Sequence, residues 1–345
     1  MTKTNPGRYL EDFQIGQTIT HATARTVTLG DVAVYSAIFG PRFAVQSGDS
    51  FAQALGYARS PIDDLLVFHI VFGKTVPDIS INAVANLGYA DCRFLAAVYP
   101  GDTLHATSTV LGIKENSSKQ TGVVYVRSTG LNQRGETVLE YVRWVMVRKR
   151  DVTATIAANH VPALPDAVSA TQIGGACPPL DVAKYDFTLA GANWRWGDYK
   201  AGERIDHVDG ATVEEAEHQM ATRLYQNNAK VHFNQFSEGQ GRFGRRLVYG
   251  GHVISVARAL SFNGLENAFH IAAINGGRHI SPLFAGDTLF AWSEILALEA
   301  LPGRKDVGAM RLRTIAAKDR PCADFPDSGG SGVVLELDYW VLLPI

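Results

Sequence analysis

The stretch Tyr99-Pro-Gly-Asp-Thr-Leu104 returns 185 residues later as Phe284-Ala-Gly-Asp-Thr-Leu289. In both places the Gly-Asp turn leads into a run of alternating apolar and polar residues, which is typical of a β-strand with one buried face. Further upstream, Asp12-Phe-Gln-Ile-Gly16 is matched by Asp198-Tyr-Lys-Ala-Gly202, and here the residue numbers differ by 186. One shared turn means little, but matches that keep their order and spacing indicate that the chain consists of two related halves.

The same register continues on both sides of these matches. Thr26-Val27 corresponds to Thr212-Val213. Near the end of each half, the aromatic strand at 140–145 corresponds to the strand at 337–341. The second strand comes later because a stretch rich in Gly, Pro and Asp, residues 321–332, precedes it, and we interpret this stretch as a surface insertion.

The domain organisation follows from this register. We predict an N-terminal half at 1–150, a linker at 151–180 and a C-terminal half at 181–345. The linker is rich in Ala, Pro, Asp and Gly, contains Pro178-Pro179 and shows no sustained apolar period. A chain of 345 residues is also longer than one average domain requires.

Each half contains one long apolar helix followed by alternating strands. The helices are predicted at Pro61 to Val76 and at Leu247 to Phe262. An antiparallel sheet that wraps around such a helix buries it, and two such units cover their strand edges by pairing edge to edge. The sequence therefore predicts an α+β fold. The predicted strands lie around 81–98, 103–113, 121–131, 136–149, 268–283, 287–299, 308–316 and 332–343.

The composition argues against several classes of protein. Hydrophobic residues make up 46%, charged residues 19%, and no apolar run approaches the ~20 residues that cross a bilayer, so no membrane partner is expected. The net charge of -2 and the absence of a basic cluster argue against nucleic-acid binding. Cys92, Cys177 and Cys322 lack the spacing of a disulfide framework or a zinc site, so no metal is predicted. The N-terminus lacks a secretory signal, and we expect a cytoplasmic protein.

One short segment of the second half suggests a family. Gln226-Asn-Asn-Ala-Lys-Val-His232 resembles the signature Gly-Asp-x-Asn-Pro-x-His of MaoC-like hydratases. The resemblance covers nearly the whole chain and implies two fused hotdog domains, each a long central helix wrapped by an antiparallel sheet. It also implies that His232 is catalytic and that Asn227 occupies the position of the family's catalytic aspartate. The first half has Pro41 and Gln46 at the equivalent positions, which implies a degenerate, supporting half.

Three longer stretches are similar to those of mesaconyl-CoA hydratases, a group also described as β-methylmalyl-CoA dehydratases. They are Phe68 to Ser80, Asn82 to Tyr89 and Leu224 to Asn234. This resemblance implies reversible addition of water to the double bond of a branched dicarboxylic enoyl-CoA, which converts mesaconyl-CoA to β-methylmalyl-CoA. The implied partner is the acyl-CoA thioester. No separate cofactor is expected, because coenzyme A is part of the substrate.

The chemistry of hydration suggests further residues. Negative charge develops on the thioester oxygen and requires fixed hydrogen-bond donors, such as the backbone N–H groups at a helix N-terminus. Tyr249-Gly-Gly-His252 opens the second apolar helix and lets its backbone approach a ligand closely. We therefore predict Gly250 and Gly251 as oxyanion donors. His232 is suited to proton exchange near neutrality because an unperturbed imidazole has a pKa of ~6.5.

Asn227 departs from the family pattern because an amide orients water but neither takes nor delivers a proton. Two explanations stay open. His232 performs both proton transfers of a syn addition, which we favour, or a carboxylate such as Glu238, Asp63 or Asp64 reaches the site. Asn227 is also compatible with a simple turn former, and the two glycines are compatible with tight helix packing alone.

Several other polar residues have structural explanations. His69 lies in an apolar run and is expected to be a core residue, whereas His252 is open between a structural and a functional role. Asp102 and Asp287 occur in both halves, which predicts a turn-forming role. The arginines near the two apolar helices are candidates for the coenzyme A phosphates or the substrate carboxylate, and none is assigned. They are Arg42, Arg59, Arg242, Arg245 and Arg246.

Three other functions compete with this interpretation. A hotdog thioesterase needs a carboxylate or an oriented water aimed at the carbonyl carbon, and the spacing of His232 speaks against it. A non-catalytic acyl-CoA-binding protein is supported only by the loss of Asp at position 227. A hydratase for another enoyl-CoA differs in pocket shape, which one sequence does not display. We also expect a homo-oligomer, because exposed hotdog surfaces commonly associate.

Overall fold

The computed structural model describes residues 3–156 and 159–345 and contains, within them, ten β-strands and nine α-helices. No helix in these two ranges is long and apolar enough to cross a bilayer. The strands are β1 Thr18–Thr26, β2 Ala83–Phe94, β3 Thr103–Glu115, β4 Thr121–Leu131, β5 Thr137–Arg148, β6 Arg204–Thr212, β7 His270–His279, β8 Thr288–Ala300, β9 Val307–Lys318 and β10 Val333–Pro344. The helices are α1 Leu29–Phe39, α2 Ala44–Ser47, α3 Asp49–Leu55, α4 Asp64–Ile79, α5 Phe187–Ala190, α6 Glu215–Leu224, α7 Lys230–Phe233, α8 Gln235–Glu238 and α9 Gly250–Leu260.

All ten strands form one antiparallel sheet in the order β1-β3-β4-β5-β2-β7-β10-β9-β8-β6. The first five strands belong to the first half of the chain and the last five repeat their order in mirror image. The halves join where β2 pairs with β7, with Tyr89 opposite Gly277 and Cys92 opposite Ile274. This pairing covers one strand edge of each half. The predicted α+β arrangement, with the two units joined edge to edge, is confirmed.

The long apolar helices α4 and α9 lie against the strands of their own halves. Both begin three residues later than predicted, because the preceding residues are extended and pair with a neighbouring segment. The N–H of Ile62 donates to the carbonyl of Val98 at 2.8 Å, and Val248 makes the equivalent bond in the second half. Asp63 then caps α4, since its carboxylate accepts a backbone N–H of the first turn at 2.9 Å.

The repeated Gly-Asp turns have the same hydrogen bonds in both halves. The carboxylate of Asp102 accepts the N–H of Tyr99 at 2.9 Å, and that of Asp287 accepts the N–H of Phe284 at 3.0 Å. The glycine before each aspartate has a positive φ, 105° and 95°, which a residue with a side chain adopts only under strain. The prediction that these aspartates form turns is confirmed.

Some elements were missed by the sequence analysis, among them β1, β6 and most of the short helices. The signal for α1 was present, because Thr28 and Asp31 form a capping box at its start. The insertion appears as a loop at 319–332 between β9 and β10. In the first half, the equivalent loop between β4 and β5 is shorter and consists of residues 132–136. In the described part of 151–180, Val168 is buried and its carbonyl accepts the indole N–H of Trp340 at 3.0 Å, so this segment packs against the second half of the sheet.

Candidate active site

His232 lies in α7, a single helical turn before α9, and its side chain is buried. Its Nδ1 is 2.8 Å from the carbonyl oxygen of Leu247. Since a carbonyl only accepts, Nδ1 carries the proton and donates, which leaves the lone pair of Nε2 for another group. Burial lowers the pKa of His232 to about 4, so the ring is neutral at neutral pH. The structure thus holds His232 as a neutral base in a single tautomer.

Asn227 follows α6 and is 2% exposed. Its backbone N–H donates to the carbonyl of Thr222 at 3.0 Å, and its Oδ1 accepts the N–H of Ala229 at 3.1 Å. Oδ1 thus already accepts one hydrogen bond within this turn, whereas Nδ2 makes none among the described residues and is available to donate to a ligand. Asn227 therefore shapes the turn before His232 and offers a donor for a ligand.

The turn that carries Asn227 rests on the first half of the chain. Gly73 of α4 approaches it so closely that a Cβ at this position would overlap the carbonyl oxygen of Tyr225. The neighbouring Lys74 donates a hydrogen bond to the side chain of Gln226. The first half thus positions the backbone next to the candidate site, although it lacks the family signature.

Gly250 and Gly251 are the first two residues of α9, whose N-cap is Tyr249. The N–H groups at the start of a helix have no partner within the helix and point towards a ligand. A Cβ on Gly250 would overlap the imidazole of His279, and a Cβ on Gly251 would overlap the rings of Tyr249 and His69. Both positions therefore require glycine for steric reasons, whatever else they do.

Four further histidines lie around this helix N-terminus. The sequence predicted no role for His218 and His279 and left the role of His252 open. Nε2 of His218 accepts the N–H of Tyr249 at 2.9 Å, which fixes the N-cap of α9. The His218 ring is 5.9 Å from the rings of both His232 and His252. Within the described ranges, no group of three or more His, Cys, Asp or Glu has the arrangement of a metal site. The four are His69, His218, His252 and His279.

His69 is a hydrogen-bonded core residue, as predicted. It is fully buried, its Nε2 lies 2.9 Å from Oγ of Ser255, and its Nδ1 lies 3.5 Å from the hydroxyl of Tyr249. These contacts join α4 of the first half to the N-terminal part of α9. His69 therefore ties the two central helices together next to Gly251.

The three carboxylates proposed as substitutes for the missing aspartate are engaged with other partners. Asp64 pairs with Nδ1 of His270 at 2.9 Å, and Glu238 accepts the hydroxyl of its neighbour on the surface. Asp63 caps α4, and burial raises its pKa to about 6. Within the described residues none of the three forms a hydrogen bond or an ion pair with His232. This geometry favours the explanation in which His232 performs both proton transfers.

The arginines considered for the coenzyme A phosphates are mostly engaged at the surface. Arg246 forms an ion pair with Glu215, and Arg59 lies 3.5 Å from Asp49. Three others lie over aromatic rings, at 4.0 to 5.2 Å from the ring centroids. None of these contacts selects one arginine as a phosphate ligand. The three are Arg42, Arg242 and Arg245.

A cavity of about 260 Å³ opens beside α9, between α1, α6 and β6. Its wall includes Phe39, Glu217 and His252. The volume is below the 300 to 1,000 Å³ that is typical of ligand pockets. The cavity reaches the histidine group at His252, whose ring lies 4.8 Å from that of Phe39.

We expect Gly250→Ala to lower kcat/KM by about 10²-fold, because the added methyl group pushes the start of α9 away from His279 and misplaces the donors by about 1 Å. The control is Gly197→Ala, since a Cβ at Gly197 meets no atom within 4 Å. Both variants are compared with the wild type by steady-state kinetics and thermal unfolding. Equal activity of the Gly250 variant and the control would mean that Gly250 is not part of the active site.

The chain matches the family model described as mesaconyl-CoA hydratase over residues 1–325. It is 62% identical to a β-methylmalyl-CoA dehydratase of Chloroflexus aurantiacus over 99% of this chain and 98% of that protein. It is 56% identical to a mesaconyl-CoA hydratase of Cereibacter sphaeroides over 99% of both chains.

Solved structures show the fold. A MaoC domain dehydratase from Chloroflexus aurantiacus superposes with a TM-score of 0.97 at 62% identity, covering 100% of this chain and 99% of the other. A conserved Mycobacterium tuberculosis protein with a double hotdog fold superposes with a TM-score of 0.77 at 25% identity, covering 98% and 99%. The predicted double hotdog architecture is confirmed, and the chain belongs to the mesaconyl-CoA hydratase family.

Proposed function

We propose that this protein catalyses the reversible hydration of mesaconyl-CoA to β-methylmalyl-CoA. The observation that carries the proposal is the match over the full length of the chain to two relatives described by these two names. The site adds a chemical argument, because it combines a neutral, buried histidine with free backbone donors at a helix N-terminus.

The thioester oxygen of the substrate binds at the start of α9 in this proposal. As water adds to the β carbon, electrons move through the former double bond onto this oxygen, and the resulting charge is stabilised by the N–H groups of Gly250 and Gly251. The positive end of the helix dipole lies at the same place. Stabilisation that grows as the charge develops accelerates the reaction rather than merely binding the substrate.

His232 handles the protons. Its free Nε2 takes a proton from water as the oxygen attacks the β carbon, while Nδ1–H stays bonded to the carbonyl of Leu247. The same proton then returns from Nε2 to the α carbon, which gives a syn addition. Nδ2 of Asn227 is available to orient the attacking water through its oxygen lone pair. The reverse sequence dehydrates β-methylmalyl-CoA.

A thioesterase is less well supported by this arrangement. Hydrolysis requires a carboxylate or a water aimed at the carbonyl carbon, and the carboxylates near the site are engaged with backbone or with His270. A hydratase for another enoyl-CoA would use the same chemistry at His232 and would differ only in the residues that surround the acyl group. A cytoplasmic location and a homo-oligomeric state stay predictions of the sequence.

The direct test is incubation of purified protein with mesaconyl-CoA or β-methylmalyl-CoA while the absorbance of the conjugated thioester is followed. We expect loss of absorbance from the first and gain from the second, without release of free thiol. Release of thiol would support the thioesterase instead. Turnover of crotonyl-CoA with none of mesaconyl-CoA would show that the substrate is wrong.

The dependence on pH gives a second test. Because burial lowers the pKa of His232 to about 4, the base is already deprotonated throughout the neutral range. We expect kcat/KM to be flat between pH 6.5 and 8, with no inflection near the ordinary imidazole value of ~6.5. A decline towards acid with an apparent pKa near 6.5, in protein that stays folded, would contradict the assignment of a neutral, desolvated base.

A further inference from the structure

Arg143 lies on β5 in the first half, and its side chain is 0% exposed. The guanidinium donates to Oγ1 of Thr75 at 2.8 Å and to Oγ of Ser80 at 3.2 Å. Its Nε is buried and has no hydrogen-bond partner in the part of the chain that the structure describes. Among the residues that the structure describes, no carboxylate lies within 4 Å of it. Arg143 is therefore a fully buried cation whose neighbours are neutral hydroxyl groups.

Burying a charge without a counter-ion is unfavourable, and buried arginines are normally paired. The second deeply buried arginine, Arg258, also forms no ion pair within 4 Å among the described residues, but Asp63 and Asp64 lie near enough to stabilise its charge. The ionisable groups that lie near Arg143 are tyrosines rather than carboxylates. This difference indicates that a ligand supplies the anion for Arg143.

The duplication of the chain shows that the fold does not require an arginine at this place. When the aromatic strands β5 and β10 are aligned at Trp144 and Trp340, Arg143 corresponds to Tyr339. Tyr339 is also buried, and its hydroxyl lies 3.0 Å from Oγ1 of Thr314. The same strand position is thus filled by a neutral aromatic residue in the other half. The architecture that both halves share therefore does not require an arginine at this position.

The surroundings of Arg143 suit a planar anion. Its Cζ lies 4.3 Å from the centre of the Phe72 ring, so the guanidinium packs over an aromatic face. Tyr89, Tyr141 and Tyr249 also lie close to it, and all three are buried. A guanidinium that is fixed in orientation and shielded from water matches the two oxygens of a carboxylate better than a flexible lysine would.

Two aromatic residues connect this arginine to the candidate active site. The Tyr249 ring lies 5.7 Å from that of Phe72 and 5.5 Å from that of His232. On the other side, the Tyr89 ring lies 6.0 Å from that of Phe72. Tyr249 is also the N-cap of α9, directly before the predicted oxyanion donors. Arg143 and the site of proton transfer therefore face the same group of aromatic rings.

The contacts of Tyr89 complete this link. Its ring lies 6.0 Å from that of His279, which packs against Gly250. A series of packed rings, Tyr89 and Tyr249 among them, thus connects this glycine with Phe72, over which Arg143 lies.

We propose that Arg143 binds the free carboxylate of the acyl group and thereby selects dicarboxylic over uncharged enoyl-CoA substrates. This inference rests on the proposed function and adds to it a residue of the half that lacks the family signature. The second half transfers the protons, and the first half recognises the end of the substrate that distinguishes it from a simple enoyl-CoA.

The test compares mesaconyl-CoA with crotonyl-CoA, which has the conjugated double bond but no free carboxylate. In Arg143→Met we expect kcat/KM for mesaconyl-CoA to fall by about 10²-fold or more, because the carboxylate becomes buried without a partner. The value for crotonyl-CoA should change by less than about threefold. Arg143→Lys keeps the charge without the planar fork and should lie between the wild type and the methionine variant.

The control is Arg127→Met, which removes an arginine from the neighbouring β4 that has its own partner, Asp91, at 2.9 Å. It should leave the ratio of the two kcat/KM values unchanged. An equal fall for both substrates in Arg143→Met, or an unchanged ratio, would overturn the inference and leave Arg143 a structural role. Wild-type protein that does not turn over mesaconyl-CoA would instead refute the proposed function.

A second measurement does not depend on a folded variant. We expect wild-type crystals grown with methylsuccinyl-CoA, a saturated compound that cannot be hydrated, to show its carboxylate oxygens within 3.2 Å of the guanidinium of Arg143. In solution this compound should bind at least tenfold more tightly than butyryl-CoA. A carboxylate that lies on another cation, or equal affinity for the two thioesters, would contradict the inference.

Discussion

Replacing His232 by asparagine is expected to lower kcat for hydration by about 10⁴-fold, the upper end of the range for loss of a general acid and base. The effect is expected to be this large because in the proposed mechanism one ring performs both proton transfers, and no carboxylate of the described residues forms a bond with it. Asparagine is the informative substitution, since its Nδ2 takes the place of Nδ1 and keeps the hydrogen bond to the carbonyl of Leu247. Steady-state kinetics with mesaconyl-CoA measures the loss.

The matched control is His160→Asn, because His160 is exposed and its side chain makes no hydrogen bond within the described residues. The control should keep the activity of the wild type. Thermal unfolding and near-ultraviolet circular dichroism establish that the His232 variant is folded. Activity within tenfold of the wild type in folded His232→Asn would mean that another group transfers the protons.

The arrangement of the fold was predictable because duplication leaves regular traces in a sequence. The turns at Asp102 and Asp287 are 185 residues apart, close to the offset of 186 further upstream, and make the same hydrogen bonds, so register alone placed two equivalent units. The boundaries of the long helices were less predictable. Ile62 and Val248 are apolar and continue the helical pattern, but backbone pairing with neighbouring segments keeps them extended.

The candidate site was predictable only where its residues lie close together in the sequence. His232 and Asn227 share one segment with family spacing, and the glycines open a recognisable helix. His218 and His279 approach the same helix N-terminus from separate elements, and no spacing in the sequence connects them. Arg143 was missed for a related reason. In the sequence it is one residue of an alternating strand, and its lack of a counter-ion is visible only once its neighbours are known.

We expect acid to unfold this protein at a higher pH than if only its carboxylates were titrated. Burial lowers the pKa of His218 to about 2, that of His69 and His252 to about 3, and that of His207, His232 and His279 to about 4. In the unfolded chain these imidazoles have a pKa of ~6.5. Below this pH the unfolded state therefore binds more protons than the native state, and the free energy of unfolding falls.

One buried carboxylate acts in the opposite direction. Burial raises the pKa of Asp63 to about 6, so the native state takes up this proton before the unfolded state does, which offsets one of the six histidines. A net difference of about five protons corresponds to about 7 kcal/mol per pH unit, against a total stability of about 5 to 15 kcal/mol for a typical domain. We therefore expect most of the stability to be lost between pH 6.5 and pH 4.5.

Urea unfolding at half-unit steps from pH 7.5 to pH 5 measures this slope directly. His207→Asn gives the matched test, because His207 lies away from the candidate site and donates from Nδ1 to the carbonyl of Asn263 at 2.8 Å, a bond that asparagine can keep. This variant should reduce the slope of the free energy of unfolding against pH by the equivalent of about one proton, without changing kcat. His160→Asn should leave that slope as it is. A free energy of unfolding that stays constant down to pH 5 would mean that the buried histidines are protonated in the native state. In that case His232 would not be the neutral base on which the proposed hydration depends.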